Sequence, residues 1–375
     1  MMMPHSVVGV PREVKHEEHR VAITPDGVQE LVAHGVKAIV EAGAGVDSGI
    51  PDEDYKAAGA TLLSSPEEIW EQATLIAKVK EPIEEEYCYL RDDLMLFTYL
   101  HLAAYPQLAE VLVKSGTCAI AYETVERDSG ALPLLAPMSE VAGRMAVQIG
   151  ARYLEAHRGG RGVLLGGVPG VRPGRVCVIG AGNVGWNAAW IAAGMEAEVL
   201  LFDRDLDRLR WTDQIHRGRI TTLASNRGAL ERALSTADLL IGAVLVAGDR
   251  APVVVPDEMV QMMPHQAVIV DVAVDQGGCV ATTKETTHTE PIYETHGIIH
   301  YGVANMPGAV PHTSTWALTN ATMPYLVELA AYGIDAATRR YPELQKGINT
   351  RDGKLVNEAV KNAERSRKEN DGGHS

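Results

Sequence analysis

The stretch Val176-Cys177-Val178-Ile179-Gly180-Ala181-Gly182-Asn183-Val184-Gly185 decides the fold class. An apolar strand runs directly into Gly-x-Gly-x-x-Gly, and Trp186–Ala193 continues it as a helical pattern. Gly180 permits the tight turn, Gly182 has no side chain to hold a pyrophosphate off the backbone, and Gly185 lets the helix pack closely on its strand. The helix start, with Asn183 and Val184 in the loop, supplies free amides and the positive end of a dipole. A second strand, Glu198–Phe202, ends at Asp203. That is about 20 residues on, where an acid accepts hydrogen bonds from ribose hydroxyls. Asp203 favours NAD over NADP, because a 2′-phosphate would face a carboxylate. Arg204 and Arg208 act in the opposite sense, since arginine accommodates a 2′-phosphate.

The pattern continues in both directions. Downstream, strands are expected at Asp238–Val246, Ala267–Val274 and Ile298–Val303, with helices between most of them. Upstream, Val7–Val10, Lys37–Glu41, Leu75–Val79, Leu94–Leu100 and Thr117–Tyr122 read as strands, and Val21–Ile23 as strand-like. Helices are expected at Val28–His34, started by Thr24 and Pro25, and at Gln107–Lys114. This alternation is that of parallel α/β domains. Between the two series lies a long helix, Glu140–His157, which Ser139 can cap. Its Ala and Gly residues permit close packing, as suits a connector between domains. Further helices are read at Thr315–Tyr332, Ala336–Arg340 and Lys354–Arg365.

A chain of 375 residues suggests two or three domains. Its formal net charge of −15 makes it a poor general binder of nucleic acid, which needs excess cation. The most apolar run, Leu239–Gly248, is too short to span a bilayer, and Met1–Arg20 has no basic start followed by an apolar stretch. No membrane partner is expected, and the setting is cytoplasmic. The four cysteines show neither zinc nor nucleophile spacing and read as reduced, mostly buried thiols. His16-Glu17-Glu18-His19 has the wrong spacing for a zinc helix, so no metal is expected.

Parallel sheets bind ligands at the carboxyl ends of their strands. Four charged or titratable residues stand at such places. Arg20 precedes Val21–Ile23, Lys80 follows Leu75–Val79, His101 follows Leu94–Leu100, and Asp275 follows Ala267–Val274. Two cations, an imidazole and a carboxylate suit a small anionic substrate that undergoes proton transfer. Each also has a structural use, as a solvated charge, a cap or a turn residue.

At these residues the sequence resembles the alanine dehydrogenase and nicotinamide transhydrogenase α-subunit family. The segments GVPREVKHEEHRVAITPDGV, LIAKVKEP, LFTYLHLA, LPLLAPMSEVAGRMA, VIGAGNVG, VIVDVAVDQGGC and VANMPGAVPHTSTWALTNATMPY carry the resemblance, which runs from about Val8 to about Lys354. It implies an α/β fold of two Rossmann-like domains with parallel sheets. A discontinuous substrate domain, 1–136 and 309–375, would hold an inserted NAD-binding domain, 137–308. It further implies an active site in a cleft between domains and a homohexamer.

Residue by residue, the resemblance makes Arg20 the substrate-carboxylate arginine and Lys80 an active-site lysine that also holds the substrate. It makes His101 the catalytic histidine and Asp275 the catalytic aspartate. Asn305 and Met306, with Met138 and Ser139, would lie about the nicotinamide and substrate. The implied reaction is reversible oxidative deamination of L-alanine with NAD to pyruvate and ammonium. An imidazole, with its ordinary pKa near 6.5, suits the proton transfers. The alternatives are a transhydrogenase nucleotide-binding subunit, a dehydrogenase of another amino acid, and a catalytically silent NAD-binding protein.

Overall fold

The computed structural model describes residues 6–244, 251–363 and 365. The chain divides into two compact units, one formed by residues to 138 together with those from 310 onward, the other by residues 139–309.

The first unit opens with β1 (Val7–Val10), α1 (Pro25–Ala33), β2 (Lys37–Glu41), α2 (Asp52–Ala57), β3 (Thr61–Leu63), α3 (Pro66–Gln72), β4 (Leu75–Ala77), β5 (Met95–Thr98), α4 (Pro106–Ser115) and β6 (Cys118–Ala121). Thr24 caps α1, its hydroxyl oxygen accepting the Gly27 N–H at 3.3 Å, and Pro25 fills the first turn. Helix α5 (Ala136–Tyr153) leads into the second unit. There follow β7 (Arg175–Ile179), α6 (Asn183–Gly194), β8 (Glu198–Asp203), α7 (Leu206–His216), β9 (Ile220–Ala224), α8 (Arg227–Leu234), β10 (Leu239–Gly242), α9 (Asp257–Val260), β11 (Val268–Asp271), β12 (Ile292–Thr295) and β13 (Ile298–Tyr301). The chain then returns to the first unit through α10 (Pro311–Tyr332), α11 (Ile334–Arg340), α12 (Leu344–Gly347), β14 (Ile348–Arg351) and β15 (Lys354–Leu355).

Each unit holds one sheet, and both repeat the same topology. In the first, β3-β2-β1-β4-β5-β6 run parallel, and β14 and β15 extend the β6 edge antiparallel. In the second, β9-β8-β7-β10-β11-β13 run parallel, and β12 closes the edge antiparallel. This is the doubly wound order in which the chain reverses direction across the sheet between β1 and β4, and again between β7 and β10. The central strands β1, β4, β7, β10 and β11 are mostly apolar and buried on both faces, as helices on either side require. Ile39, Trp70, Ile76, Leu96 and Leu112 form one core, and Cys177, Ile179, Phe202, Leu240 and Ile269 another.

Several elements depart from the sequence reading. Val21–Ile23 is not a strand: it is a buried loop in which the Val21 N–H donates to Thr315 Oγ1 at 3.1 Å and Tyr55 OH donates to the Ile23 carbonyl at 2.8 Å. Contacts far along the chain override its β propensity. Strands β4, β5 and β11 stop two to three residues sooner than expected, so Lys80, His101 and Asp275 all lie in loops beyond their strands. Of Asp238–Val246, Leu239–Gly242 is strand, and residues 245 and 246 lie outside the described residues. Ser139 sits inside the first turn of α5, so it is not the cap. Lys354–Leu355 is the closing strand of a hairpin, and helix follows at residues 358–363. The cysteines are all free, but only Cys177 and Cys279 are buried, and Cys88 is exposed.

Candidate active site

In the first unit the loops after β1, β4 and β5 leave the sheet beside the strand-order reversal. Glu13, three residues past β1, ties two of them together. Its carboxylate accepts the Val79 N–H at 2.6 Å and the Lys80 N–H at 3.3 Å, and it pairs with Lys78 Nζ at 3.3 Å. Lys78, 1% exposed, also donates to Glu86 at 2.8 Å. Lys15 pairs with Glu81. The Lys80 carbonyl accepts from Thr98 Oγ1 at 3.0 Å. Held by its backbone from two sides, Lys80 has no ion-pair partner among the described residues. Its ammonium pKa is lowered, first by burial and then by the neighbouring charge of Arg20, against the pull of Glu81 and Glu18.

Arg20 is buried and already engaged. Its Nε donates to Glu18 Oε1 at 2.6 Å and its Nη2 to Glu18 Oε2, a forked pair, while Nη1 lies 3.0 Å from Met138 Sδ. Burial pushes the Glu18 carboxyl up, but the Arg20 charge and hydrogen bonds, with Lys80, outweigh it and bring the pKa down to about 2. The guanidinium that the resemblance assigns to a substrate carboxylate is thus already forked onto a neighbour two residues away.

His101 has φ +49°, a left-handed conformation uncommon for a residue with a Cβ. The Glu123 carboxylate holds it there, accepting the Leu100 N–H at 3.2 Å and the His101 N–H at 2.6 Å. The imidazole lies parallel to the Tyr99 ring, with centroids 5.7 Å apart, and Tyr99 OH donates to the Leu134 carbonyl at 2.7 Å. Burial lowers the imidazole pKa to about 4; Glu123 opposes the shift, and Lys80, Lys15 and Arg20 add to it. His101 is therefore a neutral base at pH 7, not a group titrating near 6.5. The structure gathers Arg20, Lys80 and His101 at one sheet edge and adds Glu13, Glu18 and Glu123, which sequence reading missed. Only a charged loop with glutamates at Glu13 and Glu18 hinted at them.

In the second unit Gly180 follows β7 with φ +100°, and Gly182 is the N-cap of α6. No side chain caps that helix. Among the described residues a Cβ on Gly182 would meet only Arg208 Nη1, at 3.8 Å, so they leave the space over the loop open. A Cβ on Gly185 would stand 1.7 Å from the Gly180 carbonyl oxygen. We expect Gly185→Ala to displace α6 or unfold the loop, weakening dinucleotide binding at least tenfold and lowering the melting temperature; calorimetry with and without NAD checks both. Asp203 ends β8, accepting the Ala181 N–H at 2.5 Å and the Asp205 N–H at 2.8 Å. Arg208 lies 4.0 Å from Asp203 and 3.5 Å from Asp205, while Arg204 is exposed. An uncapped helix start, an open cradle and a strand-end carboxylate fit a dinucleotide.

Asp275 is exposed, in the short turn Val274–Gln276. The residue that ends β11 is instead Asp271, 1% exposed, whose carboxylate accepts the N–H groups of Ala273 (3.1 Å), Cys279 (2.9 Å) and Val280 (3.0 Å). Asp271 organises the loop that presents Asp275. Asn305 has φ +57° and stands before the turn Met306–Ala309, in which Met306 is buried. Ser139 also belongs to the second unit, and Met138 to the first. Among the described residues no group of three or more His, Cys, Asp or Glu could hold a metal ion, and no helix is long and apolar enough to cross a membrane.

A dinucleotide loop on one doubly wound sheet and a cationic, imidazole-bearing edge on another are the parts of an amino-acid dehydrogenase. The family models described as "Alanine dehydrogenase/PNT, N-terminal domain" and "Alanine dehydrogenase/PNT, C-terminal domain" match residues 9–142 and 146–358. The alanine dehydrogenases of Mycolicibacterium smegmatis and Bacillus subtilis are 54% and 53% identical, each over 94% of this chain and 95% and 93% of their own. A solved L-alanine dehydrogenase superposes with a TM-score of 0.93 at 49% identity, covering 96% of this chain and 99% of its own. A transhydrogenase from Sinorhizobium meliloti, TM-score 0.81 at 23% identity, shares the fold. The chain belongs to the alanine dehydrogenase/PNT family.

Proposed function

We propose that the protein is an NAD-dependent L-alanine dehydrogenase, interconverting L-alanine, NAD+ and water with pyruvate, ammonium, NADH and a proton. The observation that carries this reading is the edge where Lys80, Arg20 and a neutral His101 meet. The relatives' names support the choice of amino acid.

NAD, when bound, accepts the hydride of the substrate α-carbon. Gly180, Gly182, Asn183, Val184 and Gly185 would cradle its pyrophosphate and Asp203 its ribose, with Met138, Ser139 and Met306 about the nicotinamide. Lys80, with Arg20, holds the substrate carboxylate and so fixes the α-carbon. The family resemblance assigns Asn305 a substrate-binding role as well. The substrate ammonium first gives a proton to solvent, the proton released overall, and loss of hydride from the free amine then leaves an iminium, to which water adds. His101, neutral at pH 7, takes the proton of that water and returns it as ammonia leaves. Asp275 holds the ammonium or the water. In the reverse direction the same groups protonate the pyruvate oxygen as ammonia adds.

A homohexamer in the cytoplasm is part of this reading. An amino-acid panel with NAD+, followed by NADH absorbance, separates it from the other members of the family: activity on lysine but not alanine would contradict it, as would hydride exchange between nucleotides with no amino acid turned over. We expect Asp203→Ala to narrow the preference for NAD over NADP by about tenfold, seen as kcat/KM for the two nucleotides. NADP preferred by the unaltered protein would remove Asp203 from that role.

A further inference from the structure

We propose that Glu18 is the residue that restricts the substrate to a single negative charge. The inference rests on the reading of this edge as the pyruvate and alanine site. Four cations stand there, and three are matched: Lys15 with Glu81, Lys78 with Glu13 and Glu86, and Arg20 with Glu18. Lys80 alone has no carboxylate in contact among the described residues. Arg20 therefore brings hydrogen-bond donors to the edge without net charge, because Glu18, 5% exposed, neutralises it across two N–H···O bonds. One substrate carboxylate completes the charge of Lys80.

Among the described residues at this edge a second substrate carboxylate has no unmatched cation left to meet, and the buried Glu18 carboxylate, near enough to Lys80 for the two charges to act on each other, repels it. Unlike a steric wall, this rejection does not depend on size. Specificity built from an unmatched like charge is a general device, and in a desolvated site such a charge is strongly felt. Removing the Glu18 charge while keeping its shape would release one unit of positive charge at Arg20 and admit the dianion.

Oxamate and oxalate provide the test, since both match pyruvate in size and differ in charge. Their inhibition constants against pyruvate, at fixed NADH and ammonium, are measured for the unaltered protein, Glu18→Gln and Glu18→Asp. The unaltered protein favours oxamate, and in Glu18→Gln the ratio of oxalate to oxamate constants falls by about tenfold. Glu18→Asp, which keeps the charge, retains the preference for oxamate. A ratio unchanged in Glu18→Gln overturns the proposal. So does an unaltered protein that prefers oxalate, a result that needs no variant to fold. If the unaltered protein instead fails to turn over pyruvate, the reading of the site fails and not the charge argument alone.

Discussion

Replacing His101 with alanine lowers turnover in both directions by about 10²–10⁴-fold while NADH binding survives. The size of the effect follows from its being a buried, neutral imidazole on the edge that carries Arg20 and Lys80, held by its own backbone. Glu123 fixes the His101 N–H at 2.6 Å, and the ring rests on Tyr99. The glycine loop belongs to the second unit, so nucleotide affinity is the internal control. The lowered pKa gives the reaction a definite pH signature. In the free protein the base form persists down to about pH 4, because burial and the charges of Lys80, Lys15 and Arg20 disfavour the imidazolium. A bound substrate carboxylate offsets Lys80, so the imidazole pKa rises in the complex. The acid limb of kcat should therefore lie at higher pH than that of kcat/KM. Coincident limbs, or unchanged turnover in the variant, would remove His101 from the chemistry.

Arg20→Ala should cost both stability and function. Arg20 and Glu18 are 3% and 5% exposed, and deleting one partner leaves the other's charge buried and unmatched, at a cost of about 3–5 kcal/mol. The sign with pH is fixed by Glu18. Its folded pKa of about 2 lies below the unfolded value, so its pairing stabilises the fold above the unfolded value and that contribution is lost as pH falls toward 2. The difference in melting temperature between the unaltered protein and Arg20→Ala should be widest near pH 7 and shrink on acidification. Replacing Arg20 and Glu18 together with methionine should recover much of the stability and none of the activity. A difference that does not vary with pH would show that the pair contributes packing alone.

The parts legible in the sequence are those whose causes are local. Val176–Gly185 announces strand, turn and helix because each glycine answers a steric demand inside a few residues, and β1 and β2 were readable at their ends for the same reason. Two hairpins also had local signals. Asp352-Gly353 and His296-Gly297 have both residues left-handed, as a two-residue turn demands, and join β14 to β15 and β12 to β13. The helical reading of Lys354–Arg365 obscured the first. What the sequence could not show depends on partners far along the chain. Glu13 grips a backbone 66 residues away, Glu123 one 22 residues back, and Val21 is held by Thr315 across 294 residues. The shift of His101 to a neutral base has the same origin: burial produces most of it, and Lys80, Lys15 and Arg20, from two loops distant in the chain, add to it. Asp275 reads as a strand end because Val272, Ala273 and Val274 continue the apolar run past Asp271, the residue that does end the strand.

The central claim is tested most directly by incubating the purified protein with L-alanine and NAD+ and measuring NADH and pyruvate together. The account predicts one pyruvate for each NADH, with the reaction reversed by added pyruvate and ammonium. No NADH from L-alanine, together with no NADH consumed by pyruvate and ammonium, would contradict it.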